Sequence, residues 1–364
     1  TQATTTKRPV LSRRVNLLTK TEDFNNADWS KPGVSVISSG VLAPDGTMSA
    51  FTIKAAASAG SKILWYSQSG PTSATPYTSV VWIRNRSVIP GGSYIRFVST
   101  STGVIAGSSR PFPAVAAGWV QMSISGTHAG ASGGDLRLDI GTDGTEEGEW
   151  DIWHPSLTLA TDAHLPYQRV NTATDYDADP AKYPAYLRFD GVDDALQTGN
   201  IDFTGTDKMT VWAGVTPGSV AANAMLLELS DISNTNDGSF KLLVPETYGD
   251  PVISSSSRGT SANALDQCVF STTISTASPL VISTAHDISG DRTTLSVNGV
   301  AYSPAIGDKG AGDFGNYPLY IGARAGTSFF FNARLYGLIV RGAQSSLSQI
   351  EATELYIKQK MRLP

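Results

Sequence analysis

Apolar and polar residues alternate along most of this chain in short runs separated by turn-forming residues. In SVVWIRN (Ser79–Asn85), Ser79, Val81 and Ile83 fall on one side, and Val80, Trp82 and Arg84 on the other. SYIRFVS (Ser93–Ser99) sets Ile95 and Phe97 against Tyr94 and Arg96. GDLRLDIG (Gly134–Gly141) sets Leu136, Leu138 and Ile140 against Arg137 and Asp139. GWVQMSIS (Gly118–Ser125) and EWDIWHPSLTL (Glu149–Leu159) complete this set. A period of two is that of an antiparallel strand with one buried and one wet face. Runs such as KMTVWAGV, AMLLELS, SFKLLVP, PLVISTAHD, RTTLSVNGV and PLYIGAR extend the strand signal through the second half. Helical spacing occurs once, over Ser345–Met361. There Ser348 with Glu351 three residues on predicts a cap, and Lys358 and Lys360 suit the last turn.

The strands fall into two groups. Residues 1–15 are polar and read as an extended lead-in, and 16–167 form a first β domain. Residues 168–184, rich in Asn, Asp and Pro, read as a linker, and 185–364 form a second domain with its C-terminal helix. A chain of 364 residues suits two cores of roughly 150–200 residues each. Composition sharpens the all-β reading. The charged share is 16%, below the roughly 25% of ordinary soluble domains, and 35 glycines and 19 prolines supply many turns. Helical bundles and disorder are excluded on that profile.

Charge and cysteine usage narrow the partners. A net charge of −5 with no long basic run argues against nucleic acid, and Lys7-Arg8 and Arg13-Arg14 read as a solvated lead-in. Cys268 is the single cysteine, so no internal disulfide forms, folding in a reducing cytoplasm is expected, and the thiol reads as a buried small hydrophobe. No apolar run has the length of a membrane span and no signal peptide is visible, so membrane insertion is not expected. An opening at Thr1 without methionine predicts a processed chain or a piece of one, with an anchoring region upstream.

The second half resembles the concanavalin A-like lectin/glucanase superfamily in its laminin-G-like form. The similarity rests on Tyr186–Asp194 (YLRFDGVDD), Met209–Val215 (MTVWAGV), Leu295–Val300 (LSVNGV), Leu319–Gly322 (LYIG) and Leu347–Glu351 (LSQIE), taken in order. The first half resembles the jelly-roll carbohydrate-binding modules of phage tail and fibre proteins, through Asn16-Leu17-Leu18 with Phe24 and Trp29, Ala43–Thr47 (APDGT) and Trp150–Leu159. The pairing implies two antiparallel β-sandwiches, a jelly roll and then a concanavalin A-like fold. It further implies a receptor-binding or host-adhesion subunit on the surface of a phage or phage-derived particle, a tail fibre or head spike. Such a subunit is made in the host cytoplasm, is homo-oligomeric, touches other virion proteins and holds bacterial surface polysaccharide. A structural decoration or fibre-base protein is the alternative, and a polysaccharide-degrading enzyme a further one.

A sugar site on such a module combines flat rings with polar groups. The wet faces offer Trp82 with Arg84, Tyr94 with Arg96, and Arg137 with Asp139, although an ordinary solvated face has the same make-up. Trp65-Tyr66 is a second aromatic pair that also suits the core. Glu149 and Asp151 share a side, as glycosidase carboxylates do, but Trp153 and His154 stand where a third carboxylate belongs, so no enzyme is expected. The resemblance implies a structural Ca²⁺ at Asp151 instead. Asp190–Asp194 and Asp231–Asp237 offer oxygen ligands or simple Asx turns. His128, His154, His164 and His286 have no zinc spacing. Phe329-Phe330-Phe331, placed on a strand, must turn one ring outward. An interface is the favoured reading, with Arg324 and Tyr317 near its rim.

Overall fold

The alternating segments are strands, and the parity expected of them decides which side chains enter the core. The computed structural model describes residues 7–58, 60–71, 73–87, 92–172, 176–248, 250–260 and 267–364. Residues 1–6 of the expected lead-in and 173–175 of the expected linker lie outside that set. The chain divides into two compact units, one over Arg13–Tyr183 and one over Pro184–Pro364 together with 7–12.

After β1 (Val10–Ser12) the first unit contributes β2 (Val34–Val41), β3 (Ala50–Ala55), β4 (Lys62–Gln68), β5 (Thr75–Asn85), β6 (Ser93–Ser99), β7 (Gly103–Pro111), β8 (Trp119–His128), β9 (Leu136–Thr142) and β10 (Gly148–Leu159). They form a five-stranded sheet, β2-β3-β10-β5-β8, and a four-stranded sheet, β4-β9-β6-β7, antiparallel throughout. Val81, Ile83 and Ile152 from the first sheet meet Leu64, Ile95, Phe97 and Leu138 from the second, all fully buried. At about 1.5–3 kcal/mol for each such side chain, this interleaving is the main stabilising term of the unit.

One irregularity shapes the first sheet. Trp153 pairs with Trp82 but Ser156 pairs with Val80, so β10 carries one residue more than β5 between those points. The extra residue reverses the parity of the strand. Trp150 and Ile152 point inward before the bulge, Leu157 after it, and Ser156 and Thr158 are turned to the outer face. Pro155 sits at this place because a proline cannot donate to the ladder of a central strand. His154 takes the left-handed conformation, φ 48°, uncommon for a residue other than glycine but less so for histidine than for most.

The second unit comprises β11 (Tyr186–Asp190), β12 (Leu196–Asp202), β13 (Lys208–Pro217), β14 (Met225–Leu229), β15 (Ser239–Tyr248), β16 (Asp250–Arg258), β17 (Cys268–Phe270), β18 (Leu280–Asp287), β19 (Arg292–Val297), β20 (Val300–Ala301), β21 (Asn316–Ile321), β22 (Asn332–Arg341) and the helix α1 (Leu347–Met361). A seven-stranded sheet, β1-β11-β22-β13-β18-β19-β20, faces a six-stranded one, β12-β21-β14-β15-β16-β17, across one core. The helix lies outside that core, with Ile357 and Met361 against Trp212 and Val281. Gly214 permits the approach, since a Cβ there would meet Ile357 at 2.5 Å.

The all-β architecture with one C-terminal helix agrees with the reading of the sequence, and three details differ. The helix cap is Ser346, not Ser348; its hydroxyl takes the amide of Gln349 while the Gln349 side chain takes the amide of Ser346. Glutamine closes such a box as well as glutamate does. Within the expected lead-in, Val10–Ser12 pairs with Tyr186–Arg188, a strand too short to show a period. Within the expected linker, Gln168, Val170 and Tyr183 are fully buried, because hydrogen bonds and single anchors hold that segment.

Candidate functional site

The six candidate sugar-binding residues do not form one row. Trp82 and Arg84 lie on the outer face of the five-stranded sheet, whereas Tyr94, Arg96, Arg137 and Asp139 lie on the outer face of the four-stranded sheet. Alternation fixes the side of a strand on which a residue stands, and says nothing of the sheet to which the strand belongs.

On the four-stranded sheet the rings and charges satisfy one another. Arg137 lies over Trp65 at 5.0 Å and Arg96 over Tyr94 at 3.9 Å. Both guanidinium groups pair with Asp139, at 2.6 and 3.4 Å, and Arg96 also pairs with Asp143 at 3.1 Å. Tyr94 donates its hydroxyl to Asp143 at 2.8 Å, and burial pushes its pKa up. With the rings under guanidinium and the guanidinium groups under carboxylate, this face is a closed ladder. Tyr66 turns inward, edge-on to Trp29.

Asp151 does not suit a cation. It is fully buried, takes Arg84 at 2.6 Å and Arg86 at 3.2 Å, and accepts a third bond from the Thr52 hydroxyl at 2.6 Å. Two guanidinium groups already supply the positive charge that Ca²⁺ would bring. Glu149 leans towards Arg86 at 3.8 Å. This end of the face is a charge network around a buried carboxylate.

Trp82 is placed differently. It lines a pocket of about 260 Å³ on the outer face of the five-stranded sheet. Gln121, Ser123, Ser156 and Thr158 share the floor, and one wall comes from residues 162–168, including Asp162, Pro166 and Tyr167. At about 30 Å³ per water the space equals roughly nine waters, room enough for one sugar ring. The bulge creates the floor, because only the reversed parity of β10 puts the hydroxyls of Ser156 and Thr158 outside.

Buried amides fix the wall. Gln168 accepts the backbone amides of Val15 and Asn16 at 2.7 and 3.1 Å and donates to the carbonyls of Arg13 and Asp177 at 2.9 and 3.0 Å. Asn16 donates to the carbonyls of Pro155 and Gln168 and accepts the amide of Leu157, which ties wall to bulge. Three rings stack at the corner: His154 lies between Trp153 at 3.5 Å and Tyr167 at 3.7 Å. The imidazole Nε2 is 3.3 Å from Glu22 and holds that carboxyl below its usual range. Burial pushes the Tyr167 hydroxyl up. The site is thus preformed, with a ring, neutral hydrogen-bonding groups and a rigid wall.

Sequence reading found Trp82 and missed the rest. Gln121, Ser123, Ser156 and Thr158 look like any wet strand positions, and the wall lay in segments read as domain end and linker. One signal was present, because the apolar positions of EWDIWHPSLTL change parity between Ile152 and Leu157, which demands a bulge near Pro155.

The remaining candidates have local explanations. Phe329–Phe331 is loop, not strand: Phe331 is fully buried against Phe189, and Phe329, φ 52° and 36% exposed, lies beneath Arg324 at 4.7 Å. Tyr317 donates to the carbonyl of Asp237. Asp190, Asp193 and Asp194 bring carboxylate oxygens within 4.8 Å of one another. Asp190 accepts the amides of Val192 and Asp193, and Asp194 accepts that of Asp190, as an Asx turn requires. Asp231 and Asp237 are held by Asn236 and Arg258. Cys268 is buried, and no helix of the described residues is long and apolar enough to cross a membrane.

No family model matches the chain, and no curated protein does. Several solved structures are similar over part of it. A native heptameric SAP-like pentraxin from Limulus polyphemus is 12% identical, with a TM-score of 0.37, over 46% of this chain and 80% of that one. The CBM40 of a Ruminococcus gnavus sialidase, bound to α2,3-sialyllactose, is 16% identical, with a TM-score of 0.34, over 44% and 97%. Domain 4 of a GH43 extracellular arabinanase from Geobacillus stearothermophilus, in complex with arabinotriose, is 14% identical, with a TM-score of 0.31, over 47% and 72%.

Proposed function

We propose that this chain is a non-catalytic glycan-binding protein whose first unit holds a saccharide in the Trp82 pocket. Its biological setting is host adhesion: a receptor-binding subunit on a phage or phage-derived particle, present in several copies and directed at bacterial surface polysaccharide. That setting follows from the sequence resemblance of the two modules. The glycan reading rests on one observation, a preformed sheet-face pocket that joins an indole to a floor of neutral hydroxyls and an amide. An indole covers the apolar face of a pyranose, and the polar groups meet its hydroxyls. Many copies convert a weak site into firm attachment.

The test is a glycan array followed by calorimetric titration of the best ligand, with wild-type chain and Trp82→Ala. Binding is expected for wild type, with a loss of about tenfold or more in the variant, in line with the roughly 1–3 kcal/mol of an aromatic stacking contact. Equal binding by both proteins would remove the pocket from the site. Release of reducing ends from a bound polysaccharide would overturn the non-catalytic assignment.

A further inference from the structure

Resting on the glycan reading, we infer that the Trp82 pocket selects a neutral saccharide unit and discriminates against acidic ones. Among the described residues that line it there is no lysine or arginine, and there is one carboxylate, Asp162, itself 7% exposed. The guanidinium on the same strand, Arg84, is committed to Asp151 at 2.6 Å. The imidazole at the corner has both faces stacked and its Nε2 beside Glu22, so it too is engaged within the protein. An acidic sugar entering here would bring a second negative charge beside Asp162 and touch no lysine or arginine among the described lining residues.

The hydrogen-bonding inventory points the same way. The hydroxyls of Ser156 and Thr158 donate to the carbonyls of Val80 and Thr78, at 3.1 and 3.4 Å, which leaves their lone pairs to accept. These two hydroxyls therefore offer the pocket acceptors rather than donors. Sugar hydroxyls can donate to such a surface, whereas a carboxylate is an acceptor only. Gln121 and Ser123, both exposed, add groups that work in either direction.

The experiment uses the whole chain at roughly pH 7.5 and about 0.15 M salt. Paired probes share one oligosaccharide backbone and end in a neutral hexose or N-acetylhexosamine, or in a uronic or sialic acid. The neutral member of each pair is expected to bind about tenfold more tightly, with little dependence on salt. Gln121→Arg, at an exposed strand position that tolerates the change, is expected to raise affinity for the acidic probe by roughly threefold or more. Asp162→Asn, checked by its unfolding curve, is expected to narrow the gap between the probes. Tighter binding of the acidic probe, or equal binding of both, would overturn the neutral preference while leaving glycan binding intact. No binding of any probe by wild type would overturn both.

Discussion

Trp82 and Arg84 are two residues apart on one strand and face the same way, yet they have different work. Trp82 borders open space, whereas Arg84 neutralises Asp151, which has no exposure at all. Arg84→Ala leaves that carboxylate with Arg86, whose side chain is 43% exposed, and with the Thr52 hydroxyl. The cost is expected to be about 1–3 kcal/mol, below that of a wholly unpaired buried charge because Arg86 remains. Urea unfolding of the first unit measures it, and a change under roughly 0.5 kcal/mol would show that Arg86 suffices. Affinity for the sugar is expected to change little, since Arg84 does not line the pocket. The residue scale also shows where sequence reasoning misjudged. Arg96, Arg137 and Asp139 have the composition of a sugar site, but each is consumed by its neighbours, and composition cannot reveal that.

At the scale of elements, legibility followed periodicity. Strands with a clean period of two, such as β5, β6 and β9, could be assigned with their inward faces. So could the helix α1, whose spacing and terminal lysines are local in sequence, although its cap is Ser346 and not the expected Ser348. What the chain did not disclose was pairing across distance. Which of the two sheets receives β6 and β9 is decided by core packing between residues far apart, and no local pattern encodes it. The pocket wall illustrates the same limit, since its order comes from two amides rather than from a run of apolar residues. Gln168→Ala removes the acceptor of two buried amides and the donor for two carbonyls. We expect a loss of about 3 kcal/mol, less than the sum of the four bonds because water can enter. For a unit of this size that is a fall of about 6–12 °C in Tm. Binding should weaken with it even at temperatures where the variant is folded, because the wall is then held by fewer bonds. A variant with the parental Tm would show that the wall is fixed by its apolar anchors alone.

For the whole molecule, two separate cores mean two unfolding equilibria, and acid should act on them differently. His286 stands in β18 with no exposure, against Phe240 at 5.5 Å, and burial pushes its pKa down to about 3. In the unfolded chain it returns to about 6.5. Below that pH the unfolded state takes a proton that the folded state refuses. The stability tied to His286 is therefore complete above pH 6.5 and drains as pH falls towards 3, by up to about 1.4 kcal/mol per pH unit. Glu22, in the first unit, has a folded pKa below its unfolded value near 4.5, so its contribution persists until the pH falls below that value. Between roughly pH 6.5 and 4.5 the second unit should thus lose stability while the first is little affected by these groups. Scanning calorimetry through that range is expected to show one transition moving down and the other nearly stationary. The absolute Tm of His286→Gln is not the readout, because repacking beside Phe240 lowers it. The diagnostic is the slope: the fall of the moving transition towards acid should disappear or reverse, because burial raises the Glu228 and Asp194 carboxyls and their protonation favours the folded state, and a slope equal to that of wild type would exonerate His286.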